Sequence, residues 1–259
     1  MTVAAGFRCR DAIILCADSR LTIPDTFRFD ENLKMAGYKD ETIAATLAGA
    51  GDWDYFRMAF EKIKSRLHVN PDAKKALEET VLEVYETHIA ALGEPPETRP
   101  GFQLLMASRT NDTPMSLLRT TSTAFAEGNS FEFIGVGEAF GLHLAKTYYR
   151  PSMSLDQAVF VVAYILRTIK KVVPKCGGRS DIIALTADGQ VKMALHSDLA
   201  QLEEGFASFD KFTGLVMSAI SGRPLVPSKD TLNAAKERLD DLARKCQKTI
   251  RFDMLEGNF

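Results

Sequence analysis

The sequence predicts an α+β fold, a four-layer αββα sandwich in which two antiparallel sheets lie between layers of helices. Some segments carry short apolar runs bounded by turn residues, which is typical of strands. Others repeat apolar residues at intervals of three and four, which is typical of helices. Along the chain the segments follow the order strands, two helices, strands, two helices, strands, and this order favours a single layered domain.

The first block of strands begins at the N-terminus. Residues 3–9 and 12–17 are rich in β-branched and small side chains, and Arg10 and Asp11 lie between them. This pattern predicts a hairpin centred near residue 10, with further strands at 34–38 and 42–48. Paired positions would then sum to about 20, so that Thr2 lies across from Asp18. We expect the same face to carry small and apolar side chains, namely Ala4, Gly6, Ile14 and Cys16.

Two helices follow. From Asp52 the apolar residues step by three and four, which predicts one helix face made of Trp53, Phe56, Phe60, Ile63 and Leu67, with Asp52 as N-cap. A second helix is predicted after Pro71-Asp72 and ends at Gly93. Its apolar side includes Leu77, Val81, Val84, His88 and Ala91, so His88 is expected to be a packed histidine.

The second half repeats the pattern of strands and then helices. Strands are predicted at 102–109, 114–121 and 131–135, helices to about 149 and over 155–172 after a cap at Ser154, and a hairpin at 181–187 and 190–195. Helices at 198–221 and 228–250 flank a break, GRPLVP, at 222–227. The predicted organisation is one main domain, 1–222, with a C-terminal helical extension, 223–259.

Composition excludes several classes of function. The 259 residues are 46% hydrophobic and 25% charged with a net charge of −2, which implies no attraction to nucleic acid or to an anionic membrane. No targeting segment and no apolar run long enough to span a bilayer is visible. The cysteines, Cys9, Cys16, Cys176 and Cys246, lack metal-binding spacing. We expect a cytoplasmic protein with reduced thiols and neither a metal nor an organic cofactor.

Thr2 carries the most informative chemistry. It follows Met1, and its small side chain permits removal of the initiator, which would leave a free threonine amine. That amine has a reference pKa of roughly 7.7–8 and can take a proton from a hydroxyl that needs a base to become a nucleophile. A nearby lysine would favour the neutral amine and the developing alkoxide, and the carboxylate of Asp18 would hold such a lysine. The alternative is a polar cluster in solvent at a strand end.

The run TVAAGFRCRDAIILCADSRLT, with ENLKM downstream, resembles the start of proteasome β-subunits and of the bacterial HslV and Anbu peptidases. The spacing of Thr2, Asp18 and Lys34 matches these families of N-terminal nucleophile hydrolases without a gap. The resemblance implies that Thr2 is the nucleophile, Asp18 the carboxylate that orients the lysine, and Lys34 the charge stabiliser.

A second match is LAGAGD at 47–52. The resemblance implies that a glycine before the first helix, for which Gly49 is the best fit, donates its N–H to the oxyanion. It also implies that Leu21 and Thr22 lie along a peptide-binding cleft. Further implications are a homo-oligomer, either a ring or a helical assembly, a peptide or unfolded protein as substrate, and an ATP-dependent unfoldase as a partner to be tested.

The chain departs from the family at three positions. Val136, between Gly135 and Gly137, replaces a serine of active subunits, and Val173 replaces an aspartate. The motif Ser-Gly-Gly reads Cys176-Gly177-Gly178 here. The absent groups help to position the terminal amine and a water in the family. Three hypotheses therefore remain open: a threonine peptidase, a proteasome-fold scaffold without hydrolytic activity, and an amidohydrolase acting on a small amide.

Overall fold

The computed structural model describes residues 3–22, 28–29, 34–95, 97–121, 124–220, 233, 236–237, 240 and 250–255. The strands are β1 Val3–Arg8, β2 Ala12–Asp18, β3 Leu21–Thr22, β4 Arg28–Phe29, β5 Met35–Lys39, β6 Ile43–Gly51, β7 Phe102–Thr110, β8 Ser116–Thr120, β9 Phe125–Glu127, β10 Phe131–Gly135, β11 Ser180–Thr186, β12 Val191–Ala194 and β13 Phe252–Met254. The α-helices are α1 Trp53–Val69, α2 Ala73–Val84, α3 Glu138–Tyr148, α4 Leu155–Val172 and α5 His196–Ile220.

Two antiparallel sheets form the centre of the molecule. One has the strand order β10-β1-β2-β11-β12-β13, and the other runs β5-β6-β7-β8-β9. The helices α3, α4 and α5 share a buried core with the first sheet, and α1 and α2 share another with the second. A third core lies between the sheets. The predicted αββα architecture is confirmed.

Strand β2 shows why the sequences of the central strands are continuously apolar rather than alternating. Ile14 and Cys16 belong to the core on the helical side, whereas Ile13 and Leu15 belong to the core between the sheets. Every residue of the strand is buried, because each face of the sheet is covered by another layer.

The register of the first hairpin differs by one residue from the prediction. Ala4 pairs with Ala17 and Phe7 with Ile14, because the turn centres between Arg10 and Asp11 rather than on Arg10. The predicted face of small residues is therefore wrong, since a one-residue change of register moves side chains to opposite faces. Ala4 lies between the sheets, whereas Ile14 and Cys16 face the helices.

The helix caps agree with the sequence. The side chain of Asp52 accepts hydrogen bonds from the first turn of α1, and Ser154 caps α4 through a reciprocal pair with Gln157. His88 is the exception. A π-helical turn, Tyr85–Ile89, follows α2 and adds a residue to the period, so that Ile89 is buried and His88 is partly exposed.

The end of the chain returns to the first sheet. Strand β13 pairs with β12 at its edge, with Ala194 opposite Phe252, and Arg251 donates hydrogen bonds to Asp198 at the start of α5. The sequence did not predict β13, β9 or the pair β3 and β4. The predicted break at 222–227 and most of the predicted helix at 228–250 lie outside the described residues. Among the helices that the structure describes, none has the length and apolar character to cross a membrane.

Candidate functional site

The candidate site is centred on the carboxylate of Asp18, at the end of β2, which is fully buried. Its Oδ1 accepts hydrogen bonds from the N–H of Val3 and from Nζ of Lys34, each over 3.1 Å. Its Oδ2 accepts one from the N–H of Gly177 over 2.7 Å. Three segments of the chain therefore converge on one carboxylate.

Lys34 is the cation of this site and lies immediately before β5. Its side chain is 5% exposed and that of Asp18 is 0% exposed. Nζ of Lys34 also donates to the carbonyl oxygen of Arg20. Burial lowers the pKa of Lys34, and the charge of Asp18 opposes that change. Burial likewise raises the pKa of Asp18, and Lys34 and the two N–H donors oppose it. The site therefore holds a lysine that gives up its proton more readily than a lysine in water.

Thr2, the predicted nucleophile, lies outside the described residues. The peptide nitrogen that joins it to the rest of the chain is that of Val3, which donates to Asp18. The prediction concerned Thr2 as the cross-strand neighbour of Asp18, whereas the contact that the structure describes joins the side chain of Asp18 to the backbone of Val3. Val3 is also paired with Gly135 of β10 on its other side.

The loop before β11 closes the site from the opposite side. The N–H of Gly177 donates to Asp18, and its carbonyl accepts a hydrogen bond from the N–H of Arg20 over 3.1 Å. Gly177 also packs closely on Arg20, because an added Cβ would lie 2.3 Å from the guanidinium. Cys176 accepts a hydrogen bond from that guanidinium through its carbonyl, and burial raises the pKa of its thiol to about 12. Sequence reasoning noted Cys176-Gly177-Gly178 only as a departure from the family and missed the contact of Gly177 with Asp18.

Val136 and Val173 border this region. Val136 is 42% exposed and follows Gly135, the residue paired with Val3. The next residue, Gly137, allows close packing, since an added Cβ would lie 2.8 Å from Val3. Val173 caps the C-terminus of α4 and packs against the core on the helical side. Neither position therefore supplies a polar side chain beside the start of β1.

Gly49 lies within β6. Its N–H donates to the carbonyl of Lys34 over 3.1 Å, and an added Cβ would lie 2.1 Å from the ring of Phe56. Close packing against α1 is thus sufficient to require a glycine here, and its N–H is engaged in this conformation. Leu21 and Thr22 form β3, in which they pair with Phe29 and Arg28.

The pair of Asp18 and Lys34 is better suited to stabilising charge and controlling protonation than to binding a metal ion. Within the described part of the chain, no three His, Cys, Asp or Glu side chains cluster as metal ligands would. A buried cation can stabilise an anion that develops on a neighbouring oxygen. The same cation disfavours a second positive charge nearby, which would favour a neutral amine.

Comparison with known proteins identifies the fold and the family. A family model described as proteasome subunit matches residues 2–186. Among solved structures, Anbu from Yersinia bercovieri is 16% identical, with a TM-score of 0.68 over 86% of this chain and 97% of that one. A helical assembly of the Anbu complex from Pseudomonas aeruginosa is 13% identical, with a TM-score of 0.69 over 87% and 98%. HslV from Trypanosoma brucei is 14% identical, with a TM-score of 0.56 over 71% and 99%. No curated protein sequence matches the chain.

Proposed function

We propose that this chain, which belongs to the proteasome subunit family, is an N-terminal threonine hydrolase whose nucleophile is the hydroxyl of Thr2 and whose substrates are peptides. One observation carries the proposal. The buried ion pair of Asp18 and Lys34 also binds the N–H of Val3, the residue that follows Thr2. Burying a pair of charges costs desolvation free energy. Close to the free amine proposed for Thr2, such a pair can serve catalysis by controlling where protons and negative charge reside.

In the proposed reaction, Oγ of Thr2 attacks the scissile carbonyl carbon, and its proton passes to the α-amine of Thr2. The tetrahedral intermediate then expels the amine half of the substrate, which takes that proton, and leaves an ester on Oγ. Water deprotonated by the same amine hydrolyses the ester and returns the proton to Oγ. Throughout, the cation of Lys34 disfavours protonation of the amine and stabilises negative charge on Oγ, while Asp18 holds Lys34 in place.

The N–H of Gly49 is proposed to donate a hydrogen bond to the oxyanion, provided that it is released from its present acceptor. Its N–H donates to the carbonyl of Lys34, so a substrate carbonyl would have to replace that acceptor. Leu21 and Thr22 are proposed to line the peptide cleft, since strand β3 begins three residues after Asp18.

Self-assembly belongs to the same proposal. The Anbu complex of Pseudomonas aeruginosa is described as a helical assembly, and we extend self-association to this chain on the likeness of fold. A cytoplasmic location and an unfoldase partner are proposed on the family alone.

A scaffold without activity is the second candidate, favoured by the apolar side chains of Val136 and Val173. Intact mass separates the two. We expect purified protein to lack Met1 and to gain one adduct from a peptide epoxyketone, which captures a threonine hydroxyl and its amine. Thr2→Ala should give no adduct, whereas Thr113→Ala, the same change at an exposed turn, should react like the wild type.

Retained Met1 would rule out both hydrolases and leave the scaffold, whereas the absence of an adduct on a chain that has lost Met1 would rule out the peptidase. Turnover distinguishes the two hydrolases. A peptidase cleaves fluorogenic peptides, whereas an amidohydrolase for small molecules releases amine only from small amides.

A further inference from the structure

Two charged side chains of the helical layer, Lys170 of α4 and Glu203 of α5, contact the loop before β11, residues 173–179. Nζ of Lys170 donates to both carboxylate oxygens of Glu203, over 2.8 and 3.1 Å, and to the carbonyl oxygen of Gly178 over 3.1 Å. Glu203 also accepts a hydrogen bond from Oγ of Ser180, the first residue of β11. The ammonium group of Lys170 therefore uses its three donors, and one of them holds a carbonyl of the loop. We call Lys170, Glu203 and Ser180 the Lys170 network.

The Lys170 network is largely shielded from solvent. The side chain of Lys170 is 9% exposed and that of Glu203 is 23% exposed, whereas Lys171, the next residue of α4, is 61% exposed. Ser180 is buried. Burying an ion pair costs desolvation free energy, which hydrogen bonds to further groups offset. Here those further groups belong to β11 and to the loop that precedes it, because they are Ser180 and Gly178.

The network and the candidate site lie on the same face of the first sheet. In the ladder between β2 and β11, Ser180 pairs with Asp18, and paired residues point to the same face. Two residues away on each strand, Cys16 and Ile182 also pair with each other, and both belong to the core on the helical side. Strand alternation therefore puts Asp18 and Ser180 on the side that α4 and α5 cover.

The loop before β11 also runs alongside the end of β2. The N–H of Ser19 donates to the carbonyl of Arg179 over 3.0 Å, and the N–H of Arg179 donates to Oγ of Ser19 over 2.9 Å. Close to these contacts, the N–H of Gly177 binds Asp18. Gly178, whose carbonyl is bound by the Lys170 network, has a φ of 72°, which glycine adopts without strain. The loop is therefore held by the end of β2 on one side and by the network on the other.

Packing of α5 on α4 does not depend on the Lys170 network alone. The ring of Phe206 contacts those of Phe160 and Tyr164, with centroids 5.0 and 5.2 Å apart. Asp210 of α5 adds ion pairs with two cations of α4. The Lys170 network differs from these contacts because it extends beyond the two helices, to the segment that closes the candidate site.

We propose that Lys170 and Glu203 are positioning residues of the candidate site. They hold the loop before β11 in the place from which the N–H of Gly177 binds Asp18. Burial raises the pKa of Asp18, and the charge of Lys34 and the bond from Gly177 oppose that rise, so losing the bond favours the neutral acid. The effect on the loop is independent of the proposed function, whereas its consequence for catalysis rests on that function.

Hydrogen exchange at the amide of Gly177, followed by NMR or by mass spectrometry with fragmentation, measures the position of the loop. Lys170→Met deletes the ammonium group and should speed this exchange about tenfold, because the loop loses a charge-assisted hydrogen bond. Glu203→Gln keeps the shape of the carboxylate but removes its charge, and it should act in the same direction. Asp210→Asn is the matched control, since it makes the same change at the neighbouring ion pairs of α4 and α5, and it should leave Gly177 as protected as in the wild type.

The rate of adduct formation at saturating epoxyketone supplies the catalytic arm. Lys170→Met should lower this rate about tenfold, in proportion to the lost hydrogen bond. Lys170→Arg keeps a cation with several donors and should recover most of the loss. Arg167→Met removes a cation of α4 that is 14% exposed and pairs with Asp210, and it should alter neither the rate nor the exchange at Gly177.

Exchange at Gly177 that is unchanged in Lys170→Met, or that is equally fast in Arg167→Met, would overturn the proposal. If Lys170→Met does not fold, Glu203→Gln provides the same measurement, and unchanged exchange there would equally overturn it. A wild type that forms no adduct, with exchange at Gly177 still faster in Lys170→Met, would refute the proposed hydrolase and keep the role of the network in the loop. An active wild type whose adduct rate and Gly177 exchange are both unchanged in the variants would do the reverse.

Discussion

The N–H of Gly177 donates to Oδ2 of Asp18 over 2.7 Å and joins residues 159 positions apart in the sequence. This bond connects the loop after α4 to the end of β2. On the other oxygen, Asp18 binds Lys34 and the N–H of Val3. A single buried carboxylate therefore holds together three segments on which the proposed chemistry depends.

Lys34→Met should abolish the epoxyketone adduct and destabilise the protein by about 3–5 kcal/mol, because it leaves Asp18 buried without its cation. Chemical denaturation measures the free energy of unfolding, and intact mass measures the adduct. Lys146→Met changes an exposed lysine of α3 in the same way and should alter neither. A Lys34→Met protein as stable as the wild type would show that the pair is not a structural element.

Gly49→Ala should cost about 1–3 kcal/mol of stability, since its Cβ would lie 2.1 Å from the ring of Phe56. Gly101→Ala is the control, because an added Cβ there meets nothing within 4 Å. Urea unfolding of both variants measures the difference. Combining Gly49→Ala with Phe56→Leu should recover part of the loss, and no recovery would argue against overpacking as the cause.

Val136→Ser should speed adduct formation, because it provides a hydroxyl beside the paired residues Gly135 and Val3. One added hydrogen bond of about 1 kcal/mol corresponds to roughly fivefold in rate. Val136→Ala removes the same apolar bulk without the hydroxyl and should not accelerate the reaction. Equal rates in the two variants would show that the serine of active subunits is not what this site lacks.

Glu83→Gln should show how pH acts on the packing of α1 against α2. Hydrogen bonds from Lys62 and Arg66 lower the pKa of Glu83 to about 2. A lowered carboxyl pKa stabilises the fold above the ordinary value of about 4.3 and loses that effect as the pH falls towards 2. Glu83 and its two partners are partly exposed. The variant should therefore lose at most about 1 kcal/mol of the free energy of unfolding at pH 7 and almost none near pH 2.

Urea unfolding at a series of pH values checks this prediction. Glu86→Gln, an exposed change on the adjoining turn, should show no such dependence. A cost for Glu83→Gln that persisted at pH 2 would indicate a packing role rather than an ionic one.

Local periodicity was enough to predict most elements of the fold. The strands β1 and β2 and the helices α1 and α4 follow from the spacing of their apolar residues and from the caps Asp52 and Ser154. The short strands β3, β4, β9 and β13 were missed because a few residues carry no readable period and depend on a distant partner. The π-helical turn at Tyr85–Ile89 was missed for a similar reason. Its extra residue depends on tertiary packing rather than on the local period, and it buries Ile89 where His88 was predicted to be buried.

By itself, the sequence determined the layered fold class and drew attention to Thr2 and Asp18, and its resemblance to proteasome subunits added Lys34. Only the tertiary structure decided that Asp18 meets Lys34 at 3.1 Å and that Gly177 donates to the same carboxylate. Apolar periodicity is a property of neighbouring residues, which sequence displays directly. Hydrogen bonds between Asp18 and Gly177 depend instead on the pairing of β2 with β11, which no local pattern encodes.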